Sequence, residues 1–344
     1  MNIPQKTLSL LAVAFLFNLA VLSAVETDPV GYITTTTPSG DDSLIGLPLT
    51  QAIVFSGETA SVVGAEATVS STFTLDAYNG THYALATSGA NAGTWSKILD
   101  TGTNSITTQE VLLSATDTFD IIPFWTLGTA FANGAGIGAA ADPFNPSTTV
   151  SVNDLSGVGT NLSSLATYFY YAGPSPAAGW YQTGTFGVSD DLILSPDTYL
   201  MIRNSSADPL DTIVSGTVPT SVVGSSVEGV ASAAQDNQLS NPYPSGLTLS
   251  TSGLTDVVAP AADPFNPTDT VLLYDNESTD GQNISSSATY FYFAGPSPAA
   301  GWYQTGTFAD GNNVTIPAGG ALIVRKGAGD DEVLDWNPPL PYTL

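Results

Sequence analysis

Few residues in this sequence could carry out catalysis. His82 is the one histidine and the chain has no cysteine, which excludes thiol chemistry and metal sites built from several histidines. A serine hydrolase triad would have to use His82 as its base. However, two similar segments further along the chain have Tyr168 and Tyr290 at the aligned position. We therefore interpret His82 as a partly buried strand residue that replaces an aromatic ring, and we predict that the protein is not an enzyme.

Paired carboxylates are the remaining enzymatic alternative, because glycoside hydrolysis needs only two acids at a suitable separation. The chain has 31 Asp and Glu residues, and no pair stands out from the others. A glycine string at 133–140, NGAGIGAA, resembles a dinucleotide-binding loop, but DPFNP follows it almost at once. Since proline prevents the helix that such a loop requires, we interpret the string as a flexible loop.

Neighbouring acids in predicted loops offer the hard oxygen ligands that calcium prefers. They lie at 41–42, 190–191, 275–277 and 330–331. No group has the full spacing of a calcium-binding loop with its distal glutamate, and acidic turns exposed to water explain them equally well. The sequence therefore permits weak calcium binding, identifies no specific metal site and predicts no cofactor.

An aromatic phrase occurs twice, as YFYYAGPSPAAGWYQTGTF at 168–186 and as YFYFAGPSPAAGWYQTGTF at 290–308. The only change puts Phe293 in the place of Tyr171, which removes a hydroxyl and keeps the ring. A ring that tolerates this loss is expected to be core, together with the residues on its face of the strand. The predicted core aromatics are Phe169, Tyr171, Trp180, Phe291, Phe293 and Trp302.

The other face of these strands is the candidate binding surface. Aromatic rings on a sheet face can stack on sugars, and glutamine amides can bond to sugar hydroxyls. The candidate binding residues are Tyr168, Tyr170, Gln182, Tyr290, Tyr292 and Gln304.

The aromatic phrase belongs to a longer repeat whose matched residues are 121 or 122 positions apart. ADPFNP at 141–146 returns at 262–267, and Arg203 corresponds to Arg325. Each arginine is predicted to pair with an acid of its own unit, and the Asp and Asn of DPFNP are predicted to cap turns. A diverged copy is identified at 81–93, where THYALATSGANAG aligns with the segment at 167–179.

Short runs of β-branched and aromatic residues, bounded by Gly, Pro, Asn and Asp, predict an all-β fold. We expect tandem β-sandwich or barrel-like units with internal duplication. The predicted segments are a signal peptide at 1–24, a diverged β-unit at 25–128, and β-repeat units at 129–218 and 219–344.

The N-terminus has the pattern of a secretory signal. Lys6 precedes an apolar run that ends at small residues before Val25, and the run is shorter than the ~20 residues of a spanning helix. No membrane span is expected after cleavage. The remaining chain has four basic residues against 31 acids, so it is expected to repel nucleic acid and anionic membranes.

Three phrases carry a resemblance to a known family: DPVGYITTTTPSGDDSLIGLPL, IIPFWTLGTAF and LDWNPPLPY. They are similar to an uncharacterised secreted paralogous family of the Verrucomicrobia. The resemblance implies an exported bacterial protein, and it implies no activity and no catalytic residue.

These observations favour a secreted or cell-surface bacterial protein with a non-enzymatic structural, adhesive, cell-envelope or matrix role. The expected partners are polysaccharide or other cell-surface components. The alternatives are a carbohydrate-binding protein that uses the sheet-face aromatics and, with less support, a glycoside-active enzyme.

Overall fold

The computed structural model describes residues 28–277 and 281–343. The predicted signal peptide lies outside these residues. Almost all regular elements are strands, and the all-β prediction is confirmed. Within the two described ranges, no helix has both the length and the apolar character needed to cross a membrane.

The first two strands are β1 (Val30–Thr37) and β2 (Asp42–Gly46). Six strands that follow them close into a barrel, in the spatial order β3-β4-β7-β6-β5-β8. Their bounds are β3 (Phe55–Val63), β4 (Glu66–Val69), β5 (His82–Ala86), β6 (Trp95–Thr101), β7 (Ser105–Thr108) and β8 (Thr118–Pro123). Ile98, Ile106 and Phe119 are fully buried and belong to the barrel's main hydrophobic cluster.

The next segment contains the first copy of the aromatic phrase. Its elements are β9 (Trp125–Thr126), α1 (Leu127–Ala130), a 3-10 helix (Ala132–Gly134), β10 (Ala139–Ala140), β11 (Thr148–Asn153), β12 (Ser164–Tyr171), β13 (Gly179–Gln182), β14 (Ile193–Leu194), β15 (Tyr199–Asn204) and β16 (Leu210–Thr217). The main sheet has the order β10-β12-β11-β15-β2, and β13 pairs with β12. Two-stranded ribbons, β1–β16 and β9–β14, complete this first repeat.

The last segment repeats this arrangement. Its elements are β17 (Ser225–Glu228), β18 (Gln235–Ser240), β19 (Leu247–Thr248), a 3-10 helix (Leu254–Asp256), β20 (Thr270–Leu273), β21 (Ala288–Phe293), β22 (Gly301–Gln304), β23 (Thr315–Ile316), β24 (Ala321–Lys326) and β25 (Val333–Trp336). The main sheet has the order β18-β24-β20-β21-β22, with β17–β25 and β19–β23 as ribbons. We call this the second repeat.

Matched residues occupy matching strands in the two repeats. Trp180 in β13 lies opposite Tyr170, and Trp302 in β22 lies opposite Tyr292. Arg203 lies in β15 opposite Thr149, and its counterpart in β24 lies opposite Thr270. The matched residues of the two segments therefore lie in strands with the same cross-strand partners in the two sheets.

The predicted boundary at residue 128 is wrong, because it separates strands that share a sheet. β2 pairs with β15 from Asp42 to Gly46, and β1 pairs with β16 along its full length. The barrel is an insertion between β2 and β9 of the first repeat. In the second repeat, the corresponding link between β18 and β19 is only the short loop 241–246.

The segment at 81–93 does not belong to a third sheet of the same design. Its strand β5 pairs with β6 and β8 inside the closed barrel, whereas β12 lies in an open sheet. The sequence similarity therefore reflects a common strand–loop–strand pattern, because neighbouring strands joined by a loop occur in both architectures.

The two repeats contact each other reciprocally, as the halves of a two-fold symmetric dimer do. The amide of Gly46 donates to the carbonyl of Gly319 at 2.7 Å, and the amide of Ser240 donates to the carbonyl of Asp197 at 3.0 Å. Since Gly46 corresponds to Ser240 and Asp197 to Gly319, these two bonds are related by a pseudo-two-fold axis.

Candidate functional site

The predicted binding tyrosines do not form an exposed face. Tyr168 and Tyr170 are 5% and 7% exposed and pack in the main core of the first repeat. Tyr290 is 8% exposed, and Tyr292 is half-buried against Trp302 at 5.6 Å between ring centroids. This prediction is wrong because segments remote in sequence, including the ribbons and α1, pack over this face of the sheet.

The two predicted glutamines lie beside the turn that ends each aromatic phrase. The hydroxyl of Thr185 donates to Gln182 Oε1 at 3.0 Å, and the hydroxyl of Thr307 donates to Gln304 Oε1 at 3.0 Å. Both glutamines are half-buried. Each side chain therefore supports its own turn.

The predicted core aromatics are buried, but they divide between two faces. Trp180 packs with Tyr170 at 5.8 Å in the main core, because the two residues are direct cross-strand partners. Phe169 lies on the other face with Tyr181 and half-buried Tyr171. Trp180 therefore points to the opposite side of the sheet from Phe169 and Tyr171, because cross-strand partners point to the same side of a sheet.

The second face of β12 and β13 carries an aromatic cluster that reaches the surface. The ring of Phe186 lies 5.9 Å from Phe169, and the ring of Phe144 lies 5.1 Å from Phe186. Phe144 is 83% exposed. We call Phe144, Phe186 and Tyr171 the outer aromatic surface of the first repeat.

The second repeat has the same surface with nearly identical geometry. Phe265 is 83% exposed and lies 5.1 Å from Phe308, which lies 6.0 Å from Phe291. The outer aromatic surface of this repeat consists of exposed Phe265 and half-buried Phe308, and it packs against buried Phe293. The chain therefore presents two equivalent exposed phenylalanines.

Local backbone bonds fix each exposed ring. Asp142 Oδ1 accepts the amide of Phe144 at 2.9 Å, and Asp263 Oδ1 accepts the amide of Phe265 at 2.9 Å. The predicted capping of these turns by aspartate is confirmed. Phe186 has a φ of 57°, a left-handed conformation that costs on the order of 1–3 kcal/mol outside glycine. Its amide donates to the carbonyl of Gln182 at 2.9 Å, which closes the turn and holds the ring in place.

The sequence signal for this surface was present but was assigned only a structural role. DPFNP is identical in both repeats, and so is the exposed loop between β12 and β13. By contrast, the largely buried strand β15 reads YLMIRN where β24 reads ALIVRK. The buried strands β12 and β13 are also nearly identical to β21 and β22, so the two outer surfaces are retained together with the strands that carry them.

His82, the one candidate for a catalytic base, makes the contacts of a residue that supports the fold. His82 is half-buried in β5, and its ring lies 4.9 Å from Tyr78. Its Nδ1 lies 2.8 Å from the hydroxyl of Thr81. Burial lowers the pKa of His82, so the ring is neutral at pH 7. These contacts agree with the prediction of a partly buried strand histidine.

Acids of the predicted loops bond to protein groups. Asp42 binds Arg203, Asp330 binds Lys326 at 2.9 Å, and Asp190 accepts the amide of Trp180 at 3.3 Å. Among residues 28–277 and 281–343, no group of three or more His, Asp or Glu side chains is placed to hold a metal ion.

Comparison of this chain with protein-family models, with curated proteins and with solved structures gave no match.

Proposed function

We propose that this chain is a secreted, non-enzymatic adhesive protein of the bacterial cell surface or extracellular matrix. Its two outer aromatic surfaces attach it to neutral polysaccharide. The observation that carries this proposal is a pair of equivalent phenylalanines, Phe144 and Phe265. Each is 83% exposed, and the ring of each lies 5.1 Å from a second phenylalanine ring of its own repeat.

The duplication supports a ligand that itself repeats. Two copies of one surface on one chain can engage two units of the same polymer, and the second contact then forms at a high effective concentration. With two contacts to one polymer, weak stacking of a sugar on each phenylalanine is sufficient for stable attachment. A polysaccharide offers such a series of identical units.

The charge of the chain supports a neutral polymer over an anionic one. The formal net charge is −26 at pH 7, which repels anionic surfaces and polymers over distances of about a Debye length. A neutral sugar ring has an apolar face that can stack on phenylalanine without this penalty.

The test compares retention of the purified protein on insoluble neutral polysaccharides such as cellulose, xylan and mannan. We expect Phe144→Ser and Phe265→Ser each to weaken retention, and the double variant to weaken it at least tenfold more than either single one. Leu75→Ser is the matched control, because Leu75 is 63% exposed on a loop of the inserted barrel segment.

Full retention of the double variant would refute the proposal. A second result would also refute it. If analytical ultracentrifugation shows that the double variant no longer self-associates, while its polysaccharide binding equals that of the unmodified protein, the proposal fails. That second result would assign the two surfaces to contacts between copies of this chain.

A further inference from the structure

A cleft of about 760 Å³ lies between the β1–β16 ribbon and the second repeat. This volume falls within the ~300–1,000 Å³ typical of small-molecule sites. The cleft shares no residue with the outer aromatic surfaces. Its lining residues include Ile33, Thr34, Thr36, Glu277, Gly319 and Gly320.

The pseudo-two-fold axis relates this cleft to a second one of about 170 Å³. Gly319 and Gly320 of the large cleft correspond to Asp197 and Thr198 in the small one. The hydroxyl of Thr198 donates to the carbonyl of Gln238 at 2.8 Å and so fills space beside β18. The large cleft therefore has two residues without side chains where the small one has two larger residues.

The walls of the large cleft are amphipathic. Ile33, Tyr274 and Pro317 supply apolar surface, and Thr34 and Thr36 supply hydroxyls. Thr36 donates to Asp211 Oδ1 at 2.6 Å, which leaves its oxygen as an acceptor. Such walls suit a molecule with apolar C–H faces and many hydroxyl groups.

The charges at the cleft exclude an anionic ligand. Asp275 and Glu277 lie in its wall, and none of the four Lys and Arg residues in the described part of the chain lines it. Three of those four bind acids elsewhere, in the pairs Arg203–Asp42, Arg325–Asp236 and Lys326–Asp269. A carboxylated or phosphorylated ligand would meet only negative charge.

We infer that the large cleft binds a short neutral oligosaccharide. This site is separate from the two outer aromatic surfaces, and the inference does not rest on the proposed function. In the bound state, the sugar hydroxyls contact the threonine hydroxyls and Glu277, and the ring faces contact Ile33, Tyr274 and Pro317.

The experiment titrates the purified protein by calorimetry with soluble cello-, xylo-, manno- and malto-oligosaccharides, and with oligogalacturonate as the anionic comparison. We expect at least one neutral oligosaccharide to bind and oligogalacturonate not to bind. Thr34→Trp fills the cleft from an exposed strand position and should raise Kd at least tenfold. Val63→Trp is the matched control, since Val63 is 79% exposed on a strand of the barrel.

A second variant keeps the test valid if Thr34→Trp does not fold, as judged by circular dichroism. Thr36→Val combined with Glu277→Ala removes a hydroxyl and a carboxylate that contact the sugar and should also raise Kd at least tenfold. Failure of all four neutral oligosaccharides to bind would overturn the inference, and so would a Kd that neither variant changes.

The two sites can be separated in the same experiment. Binding that is lost in the Phe144→Ser, Phe265→Ser double variant but retained in Thr34→Trp would overturn the cleft site and support the outer aromatic surfaces. Binding that is lost in Thr34→Trp and retained in the double variant would support the cleft, whatever the result for insoluble polysaccharide.

Discussion

Trp180 and Phe144 are aromatic residues of the same repeat with opposite environments. Trp180 is fully buried, and its indole Nε1 donates to the carbonyl of Phe131 at 3.3 Å. Phe144 is 83% exposed on the other side of the sheet. The difference arises because α1 and the ribbons cover one face of the sheet, whereas only a short turn covers the other.

This contrast predicts different effects of truncation. Trp180→Ala should lower the free energy of unfolding by about 3–5 kcal/mol, because it leaves a large cavity in the main core. Phe144→Ala should change it by less than ~0.5 kcal/mol. Urea denaturation followed by fluorescence and circular dichroism measures both values, and equal effects of the two substitutions would contradict the assignment of core and surface.

Asp197 makes the stability of the folded protein depend on pH, and the direction of this dependence follows from its pKa. Burial raises the pKa of Asp197 from 3.8 to about 6, so the folded state binds this proton more tightly than the unfolded chain does. The stability from this group is fully present below the unfolded pKa and is lost as pH rises through about 6.

We therefore expect the Tm of the unmodified protein to be higher at about pH 5 than at about pH 7. Asp197→Asn should reduce that difference, because the amide does not titrate. Scanning calorimetry at both pH values makes the comparison at constant ionic strength. A pH dependence that is unchanged in Asp197→Asn would assign it to other carboxyl groups.

β2 and β18 lie at the edges of their sheets, and each is anchored by a loop of the opposite repeat. Asp42 of β2 accepts two bonds from Arg203 at 2.8 Å and the amide of Asn283 at 2.7 Å. In β18, Asp236 binds Arg325 at 2.6 Å and 2.9 Å and accepts the amide of Asn161 at 2.7 Å. Arg325 pairs with an acid of its own predicted unit, as expected. Arg203 pairs with Asp42 of the predicted unit 25–128, so the prediction is wrong for Arg203, because β2 belongs to the same sheet as β15. The loops link the two repeats.

Loss of one arginine should be costly, because the Asp42 side chain is fully buried. Arg203→Ala should lower the free energy of unfolding by about 2 kcal/mol or more, since it leaves a buried carboxylate without its cation. Arg203→Lys should recover only part of this loss, because lysine cannot form the two parallel bonds. Lys97→Ala on the barrel is the control, and a similar loss there would contradict this explanation.

The protein as a whole carries a formal charge of −26, with only five basic residues in the full chain. Mutual repulsion of the acids opposes the compact state, and dissolved salt screens it. Raising NaCl from about 10 mM to about 500 mM should therefore raise the Tm.

Calcium should add only a small further increase when it is compared with NaCl at equal ionic strength. The reason is that acids in the predicted calcium loops already bind arginine, lysine or backbone amides. Calorimetric titration with CaCl2 checks this expectation. A stoichiometric site with sub-micromolar Kd would contradict it.

The sequence alone was sufficient for the all-β class and for the match between the two repeats. Both depend on local information: strand-length aromatic runs, turn residues and the recurrence of Trp180 and Arg203 after a nearly constant spacing. The capping of the DPFNP turn by Asp142 also follows from neighbouring residues, and the structure confirms it.

The exposed faces and the boundaries of the units required the tertiary structure. Alternation along β12 places Tyr168 and Phe169 on opposite sides, but it does not say what packs over either side. That depends on strands distant in sequence, such as β1 pairing with β16. For the same reason, only the structure reveals that a barrel interrupts the first repeat, that Phe144 faces solvent, and that a cleft lies between the β1–β16 ribbon and the second repeat.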